Sequence, residues 1–176
     1  ELKEAMKFAE HFDGPIAIRF ARGVAFPEIK EDINLQYGKG QILKEGSKDG
    51  NNAGGNVAII AVGSMVEETY KAIDMLEKEN VHPAFVNPVF IKPMDTELIK
   101  RVAENHKHII VVEEGIKKGG FGESVETFIL ESGIDADVQV MAIDDRFVEQ
   151  GNVALLREEI GISYKNIYEK VMELTR

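Results

Sequence analysis

From Asn56 onward the chain alternates short, wholly apolar runs with segments of helical period, and this alternation limits the fold more than any other feature. Val57-Ala58-Ile59-Ile60-Ala61-Val62 and Ile109-Ile110-Val111-Val112 show no polar alternation. A strand with one wet face would show it, so both read as strands covered on two faces. Between the runs, apolar residues recur at helical spacing: Val66, Tyr70, Ile73 and Leu76, then Leu98, Ile99 and Val102, then Val125, Phe128 and Ile129. Shorter strands are expected at Ala84-Phe85-Val86 and from Val138 to Ile143. Strands separated by helices of about ten to fifteen residues make βαβ units, hence a parallel sheet in a three-layer α/β/α fold with right-handed crossovers.

Local signals punctuate this pattern. Ser64 with Glu67 has the spacing of a capping box. Asn87-Pro88 ends a strand, and Pro93 with Asp95 announces a helix. Gly133 stands just past a helix end. Two helices close the chain, Val153 to Glu159 and one whose N-cap is Ser163.

The first third is organised differently. Residues 1–12 place Leu2, Ala5, Met6, Ala9 and Phe12 on one helix face, until Asp13-Gly14-Pro15 breaks the helix. Ile16-Ala17-Ile18-Arg19-Phe20 reads as a short strand. One helix and one strand are too little for a domain, so residues 1–23 read as the tail of a preceding one. The chain opens at Glu1 in mid-helix pattern, which fits a boundary within a longer polypeptide. An orphan strand at 16–20 is expected to fray or to pair with another chain. Residues 24–55 read as a linker, a first strand near Gln41-Ile42-Leu43 and a mobile polar loop, Lys48-Asp49-Gly50-Asn51-Asn52. Residues 56–176 are the main domain, whose beginning reaches back to about Tyr37.

Composition excludes several functions. A formal net charge of -10 argues against nucleic acid and anionic membranes, both of which need a basic face. With 0 cysteines there is no disulfide, thiolate nucleophile or Cys-ligated zinc. No apolar run approaches the roughly 18 residues that span a bilayer, and no signal peptide heads the sequence. A cytoplasmic protein is expected.

Four groups of residues could carry chemistry. Arg19 and Arg22 flank a strand end beside Gly23; they could clamp a phosphate in bidentate fashion or make ordinary surface ion pairs. Val112-Glu113-Glu114-Gly115 leads into Gly119-Gly120-Phe121-Gly122 at a helix start. Free N–H groups there could hold an anion. The dinucleotide spacing is incomplete, however, and two carboxylates stand upstream, so a tight structural or interface turn formed by Glu113, Glu114, Gly115, Gly119, Gly120 and Gly122 is the favoured reading. Glu113 and Glu114 are adjacent in a strand and point to opposite faces, so they do not form one acid–base pair. Asp144-Asp145-Arg146-Phe147 follows the last strand, where sites of open α/β sheets gather, although Asp145 and Arg146 could simply pair with each other. His11, His82, His106 and His108 have no metal-ligand spacing, so no metal site is expected. Gly63-Ser64 lacks the context of a nucleophile elbow. The residues alone describe an α/β domain without a self-contained active site.

Several stretches together resemble one family. Gly14-Pro15-Ile16-Ala17-Ile18-Arg19-Phe20-Ala21-Arg22-Gly23 is similar to the segment closing the pyrimidine-binding domain of 1-deoxy-D-xylulose-5-phosphate synthases, which belong to the transketolase family. That family reads Arg-Tyr-Pro-Arg-Gly where this chain has Phe20 and Ala21 between the arginines. Tyr37-Gly38-Lys39-Gly40, Ala61-Val62-Gly63-Ser64-Met65-Val66, Asn87-Pro88-Val89-Phe90-Ile91-Lys92-Pro93-Met94-Asp95, the Glu113 to Gly122 stretch, and Asp145-Arg146-Phe147-Val148 with Gln150-Gly151 follow in the family's order. The resemblance implies a transketolase C-terminal domain whose five-stranded, mostly parallel sheet has one antiparallel edge strand. It implies a homodimeric parent enzyme that condenses pyruvate with glyceraldehyde 3-phosphate, using thiamine diphosphate and Mg2+. It gives Arg22 first, then Arg19, the aldehyde's phosphate. The family's diphosphate-binding Gly-Asp-Gly motif and its cofactor-activating glutamate lie in other domains. Lys48-Asp49-Gly50 does not replace that motif, so the chain by itself is expected to bind no cofactor, to lack catalytic residues and to be inactive. The C-terminal half of a 2-oxoacid dehydrogenase E1 β-chain, transketolase itself, a plain dimerisation module and, least of all, a nucleotide-binding module are the alternatives.

Overall fold

The computed structural model describes residues 1–21, 35–47 and 54–175. Arg22, Gly23, the linker to residue 34 and the polar loop at 48–53 lie outside the described residues. The elements are α1 (Leu2–His11), β1 (Gln41–Lys44), β2 (Val57–Ala61), α2 (Met65–Lys78), β3 (Ala84–Asn87), α3 (Thr96–Asn105), β4 (His108–Ile116), α4 (Phe121–Glu131), β5 (Asp137–Ile143), α5 (Val153–Glu159) and α6 (Tyr164–Leu174). The five strands form one sheet in the order β1-β3-β2-β4-β5. β1 runs antiparallel to β3, and every other pair is parallel.

The continuous apolar runs are continuous because their strands face protein on both sides. β2 is buried along its whole length. Its side chains alternate between two cores with the period of two that a pleated strand imposes. Val57, Ile59 and Ala61 pack with Met65, Ile73 and Leu76 of α2 and Ile167 and Val171 of α6. Ala58 and Ile60 pack with Leu98, Ile99 and Val102 of α3 and Phe121, Val125 and Ile129 of α4. The result is a three-layer α/β/α arrangement, with β2 and β4 at its centre.

α1 stands apart from both cores and buries no residue completely. Four rings hold it: Phe8 lies 5.7 Å from Phe90, and Phe12 lies 5.2 Å from Tyr37, measured between ring centroids. Ala5, Phe8, Ala9 and Phe12 are partly covered, whereas Leu2 and Met6 face solvent. The sequence reading placed Leu2 and Met6 on the packed face; the aromatic contacts rotate that face toward Phe8.

Two further expectations are corrected. Residues 16–20 form no strand, and Phe20 is 70% exposed. An extended segment is held by hydrogen bonds to a neighbouring strand, and this one has none within the sheet. Ser64 makes no capping box. It takes a helical backbone conformation and forms no side-chain cap. Its hydroxyl donates to the Glu114 carboxylate at 2.5 Å instead, a charged acceptor that outcompetes a backbone partner. A capping box does form at Ser163, where Asn166 is the reciprocal partner. At α3, Asp95 accepts the Leu98 N–H at 3.1 Å and also the Gly40 N–H at 3.1 Å, so one buried carboxylate joins the helix start to the chain entering β1.

Candidate functional site

The polar residues with the most structure around them stand where β2 and β4 end and α2 and α4 begin, the sheet edge at which open α/β folds place their sites. β4 carries Glu113 and Glu114 side by side, and the pleat sends them to different faces.

Glu113 is 6% exposed and turns toward α4. One carboxylate oxygen accepts the Gly122 N–H at 2.7 Å, and the other accepts the Phe121 N–H at 3.2 Å. These are N–H groups that a helix start leaves without partners, and they prefer an anion. The glycines make room for it. A Cβ on Gly120 would come within 2.6 Å of Glu113 Oε1 and 2.5 Å of the Ile116 carbonyl oxygen. On Gly122 it would come within 2.4 Å of Val140. Gly119 has φ +74, a conformation that side chains disfavour, and its N–H donates to Glu123 at 2.5 Å. The anion at this helix start is thus supplied by the protein itself.

Glu114 turns the other way. Arg157 of α5 grips it with two nitrogens, each at 3.0 Å, and the Ser64 hydroxyl adds a third hydrogen bond. Arg157 also reaches Glu68 of α2 at 3.4 Å. Glu68 accepts the Tyr164 N–H at 2.9 Å, at the start of α6. One guanidinium therefore ties α2, β4 and α5 together, and Glu68 extends the connection to α6. Burial pushes the Glu114 carboxyl up, but the hydrogen bonds from Arg157 and Ser64 outweigh it and hold the group below the usual carboxylate range. Arg157 and Glu68 escaped the sequence reading. Glu68 had a visible signal, because it shares the apolar face of α2 with Met65, Thr69 and Ala72. Arg157 had none, since its partner stands 43 residues away.

The other sequence-level candidates are not drawn together with this network. Arg19 is exposed and makes no hydrogen bond or ion pair among the described residues; Arg22 lies outside them. Asp145, Arg146 and Phe147 sit on an exposed loop between β5 and α5, with no ion pair between Asp145 and Arg146 and with Phe147 fully exposed. His106 bonds the Val102 carbonyl at 2.8 Å, and His108 stands 3.4 Å from Asp137. A shallow groove of about 260 Å³ runs along α1, lined by Glu4, Lys7, Phe8, His11, Phe12 and Leu35.

The coenzyme implied by the sequence resemblance needs carboxylate and amide oxygens free to ligate the Mg2+ that carries its diphosphate. Among the described residues no three His, Asp or Glu side chains gather as such a set. Glu113, Glu114 and Glu68 already accept from N–H, hydroxyl or guanidinium groups. The described residues do not fit that group.

Comparison with known proteins agrees with the architecture. The family described as Transketolase, C-terminal domain matches residues 45–167. A 1-deoxy-D-xylulose-5-phosphate synthase of Alkaliphilus oremlandii is 37% identical over 172 residues, which cover 97% of this chain and 26% of that protein. The synthase of Heliobacterium modesticaldum is 35% identical over 176 residues, 99% of this chain and again 26% of that protein. The chain thus spans about a quarter of the length of these curated relatives. Among solved structures, a split gene transketolase described as an inactive beta4 tetramer superposes with a TM-score of 0.83 and 28% identity, covering 99% of this chain and 54% of that one. The family match over residues 45–167, the identity to these synthases along nearly the whole chain and the close superposition lead to one conclusion: the chain belongs to the transketolase C-terminal domain family.

Proposed function

We propose that this chain serves as the C-terminal domain of a 1-deoxy-D-xylulose-5-phosphate synthase, a cytoplasmic transferase that joins pyruvate to glyceraldehyde 3-phosphate with loss of CO2. One observation carries the reading. The similarity to synthases runs along 97% of the chain or more, so it takes in most of residues 1–44, ahead of the C-terminal domain match. That stretch holds Arg19 and Arg22, the pair to which the phosphate of the aldehyde is assigned. Thiamine diphosphate and Mg2+ would be bound by polypeptide outside this chain, so the chain alone is inactive. Its own residues would contribute a phosphate clamp, a rigid support for the strand ends and a self-association surface for the homodimer. No helix among the described residues is long and apolar enough to cross a membrane.

The clamp is tested in the full-length enzyme. Arg22→Ala, and less strongly Arg19→Ala, should raise KM for glyceraldehyde 3-phosphate while leaving KM for pyruvate unchanged, as loss of a bidentate phosphate contact requires. Unchanged KM values in both variants, or product formation by the 176-residue chain alone, would remove the proposal. The second reading is a subunit of a split transketolase, or the C-terminal half of a 2-oxoacid dehydrogenase E1 β-chain. It is favoured by the solved neighbour's split-gene description. Activity that required a separately encoded cofactor-binding subunit would select it.

A further inference from the structure

We propose that Phe90 is a positioning residue for the phosphate of the aldehyde substrate: from the turn after β3 it grips α1 and so fixes the segment that carries Arg19. The inference rests on the phosphate clamp proposed above and names the contact through which the C-terminal domain acts on it.

Arg19 is exposed, and among the described residues no strand of the sheet pairs with its segment. A guanidinium binds a phosphate in bidentate fashion only where the backbone beneath it is held. What holds it here lies upstream. Arg19 follows Phe12 by seven residues, at most about 25 Å of chain. The chain leaving α1 turns across the Phe12 ring, so that a Cβ on Gly14 would lie 3.3 Å from the ring's Cε1. α1 itself enters neither core. Among the described residues its rings meet the domain at Tyr37 and Phe90.

Phe8 and Tyr37 lie parallel, with 3° between their planes and 6.4 Å between centroids. Half-buried Phe90 meets both edge-on, at 5.7 and 6.0 Å and at 77° and 78°. Edge-on packing is a favoured aromatic geometry. One side chain therefore touches the helix and the domain's other ring at once.

The turn that presents Phe90 is built to hold it. Val89 has φ 56, a left-handed conformation that a β-branched residue avoids. Such strain persists only where the surroundings fix the backbone. Here they do. Asn87 is 4% exposed, and its side-chain oxygen accepts the Val89 N–H at 3.0 Å. The Pro88 carbonyl accepts the Phe90 N–H at 2.5 Å. Behind the turn, Gly40 packs so closely that a Cβ on it would lie 3.2 Å from Pro88 Cα and 2.7 Å from Leu98 Cδ2. Its N–H donates to buried Asp95 at the start of α3. The end of β3, the start of α3 and the chain entering β1 thus lock together beneath Phe90 and Tyr37. The stretch from Asn87 to Asp95 is the mount from which Phe90 reaches α1.

The test uses the full-length enzyme and compares glyceraldehyde 3-phosphate with glyceraldehyde, which lacks the phosphate. Phe90→Ala should lower the preference in kcat/KM for the phosphorylated aldehyde about five- to tenfold, through a higher KM for it, with kcat and KM for pyruvate unchanged. Phe8→Ala should do the same from the other side of the contact. The two together should do no more than the larger alone, as residues acting through one contact do. Phe90→Tyr, which keeps the ring, should restore the preference. A merely destabilised enzyme would lose activity toward both aldehydes equally; that result, or an unchanged preference in Phe90→Ala, overturns the proposal. The arginine variants described above separate this role from the clamp itself. If they lower the preference and Phe90→Ala does not, the positioning role falls and the clamp stands; if none of them does, both fall.

Discussion

Glu113→Ala should unseat α4, and the size of the effect follows from what the carboxylate holds. The side chain is 6% exposed and accepts N–H groups from Phe121 and Gly122, themselves buried. Truncation leaves two donors inside the protein without acceptors, each costing about 1–3 kcal/mol. It also removes an anion from a helix start, worth about 0.3–1 kcal/mol. The sum is about 2–7 kcal/mol, a large part of the roughly 5–15 kcal/mol that stabilises a typical domain. Glu113→Gln keeps one oxygen acceptor but turns an NH2 group toward the second N–H, so about half of the loss is expected. Urea denaturation followed by circular dichroism gives both numbers, with an unchanged slope showing that the unfolded state is the same. The vacated pocket is shaped for a carboxylate, so acetate or formate should partly restore the Ala variant and leave the unsubstituted chain unaffected. A loss below about 1 kcal/mol for Glu113→Ala, or equal rescue of both proteins, would refute the reasoning, because it would mean that the N–H groups find solvent.

Three other outcomes are expected. Arg157→Ala removes two hydrogen bonds from the partly covered Glu114 and one contact from Glu68, which keeps Lys71 and the Tyr164 N–H, and should cost about 1–3 kcal/mol in the same denaturation assay. Arg157→Lys should recover little of it, because an ammonium cannot bond both Glu114 oxygens in the plane of a guanidinium. Glu114 is held below its ordinary value of 4.5, so its contribution is present above that pH and is lost as pH falls through the lower folded-state value; Glu114→Gln should flatten the acid limb of stability against pH, and an unchanged limb would count against the network. The double variant Phe8→Ala, Phe12→Ala should release α1, seen as rapid hydrogen exchange over Leu2–His11, while melting of the sheet stays unchanged, because α1 contributes to neither core.

The three-layer fold was legible in the residues because its signal is local. A doubly covered strand must be apolar at every position, as in Val57 to Ala61 and Ile109 to Val112, and an amphipathic helix must repeat near every 3.6 residues, as in α2, α3 and α4. The divergence of Glu113 and Glu114 was legible for the same reason, since it follows from the pleat alone. Their partners were not. Arg157 reaches Glu114 across 43 residues, and Ser64 leaves its own helix start for a carboxylate 50 residues on. Nothing in a window of ten residues encodes either choice. The segment at 16–20 shows the converse: it has the composition of a strand, but strand structure requires a neighbour, and among the described residues none pairs with it. The sequence by itself determined which segments would be strand or helix and which faces would be dry, because burial acts on each residue where it stands. Only the tertiary structure decided which charges would meet, because that depends on elements distant in the chain coming together.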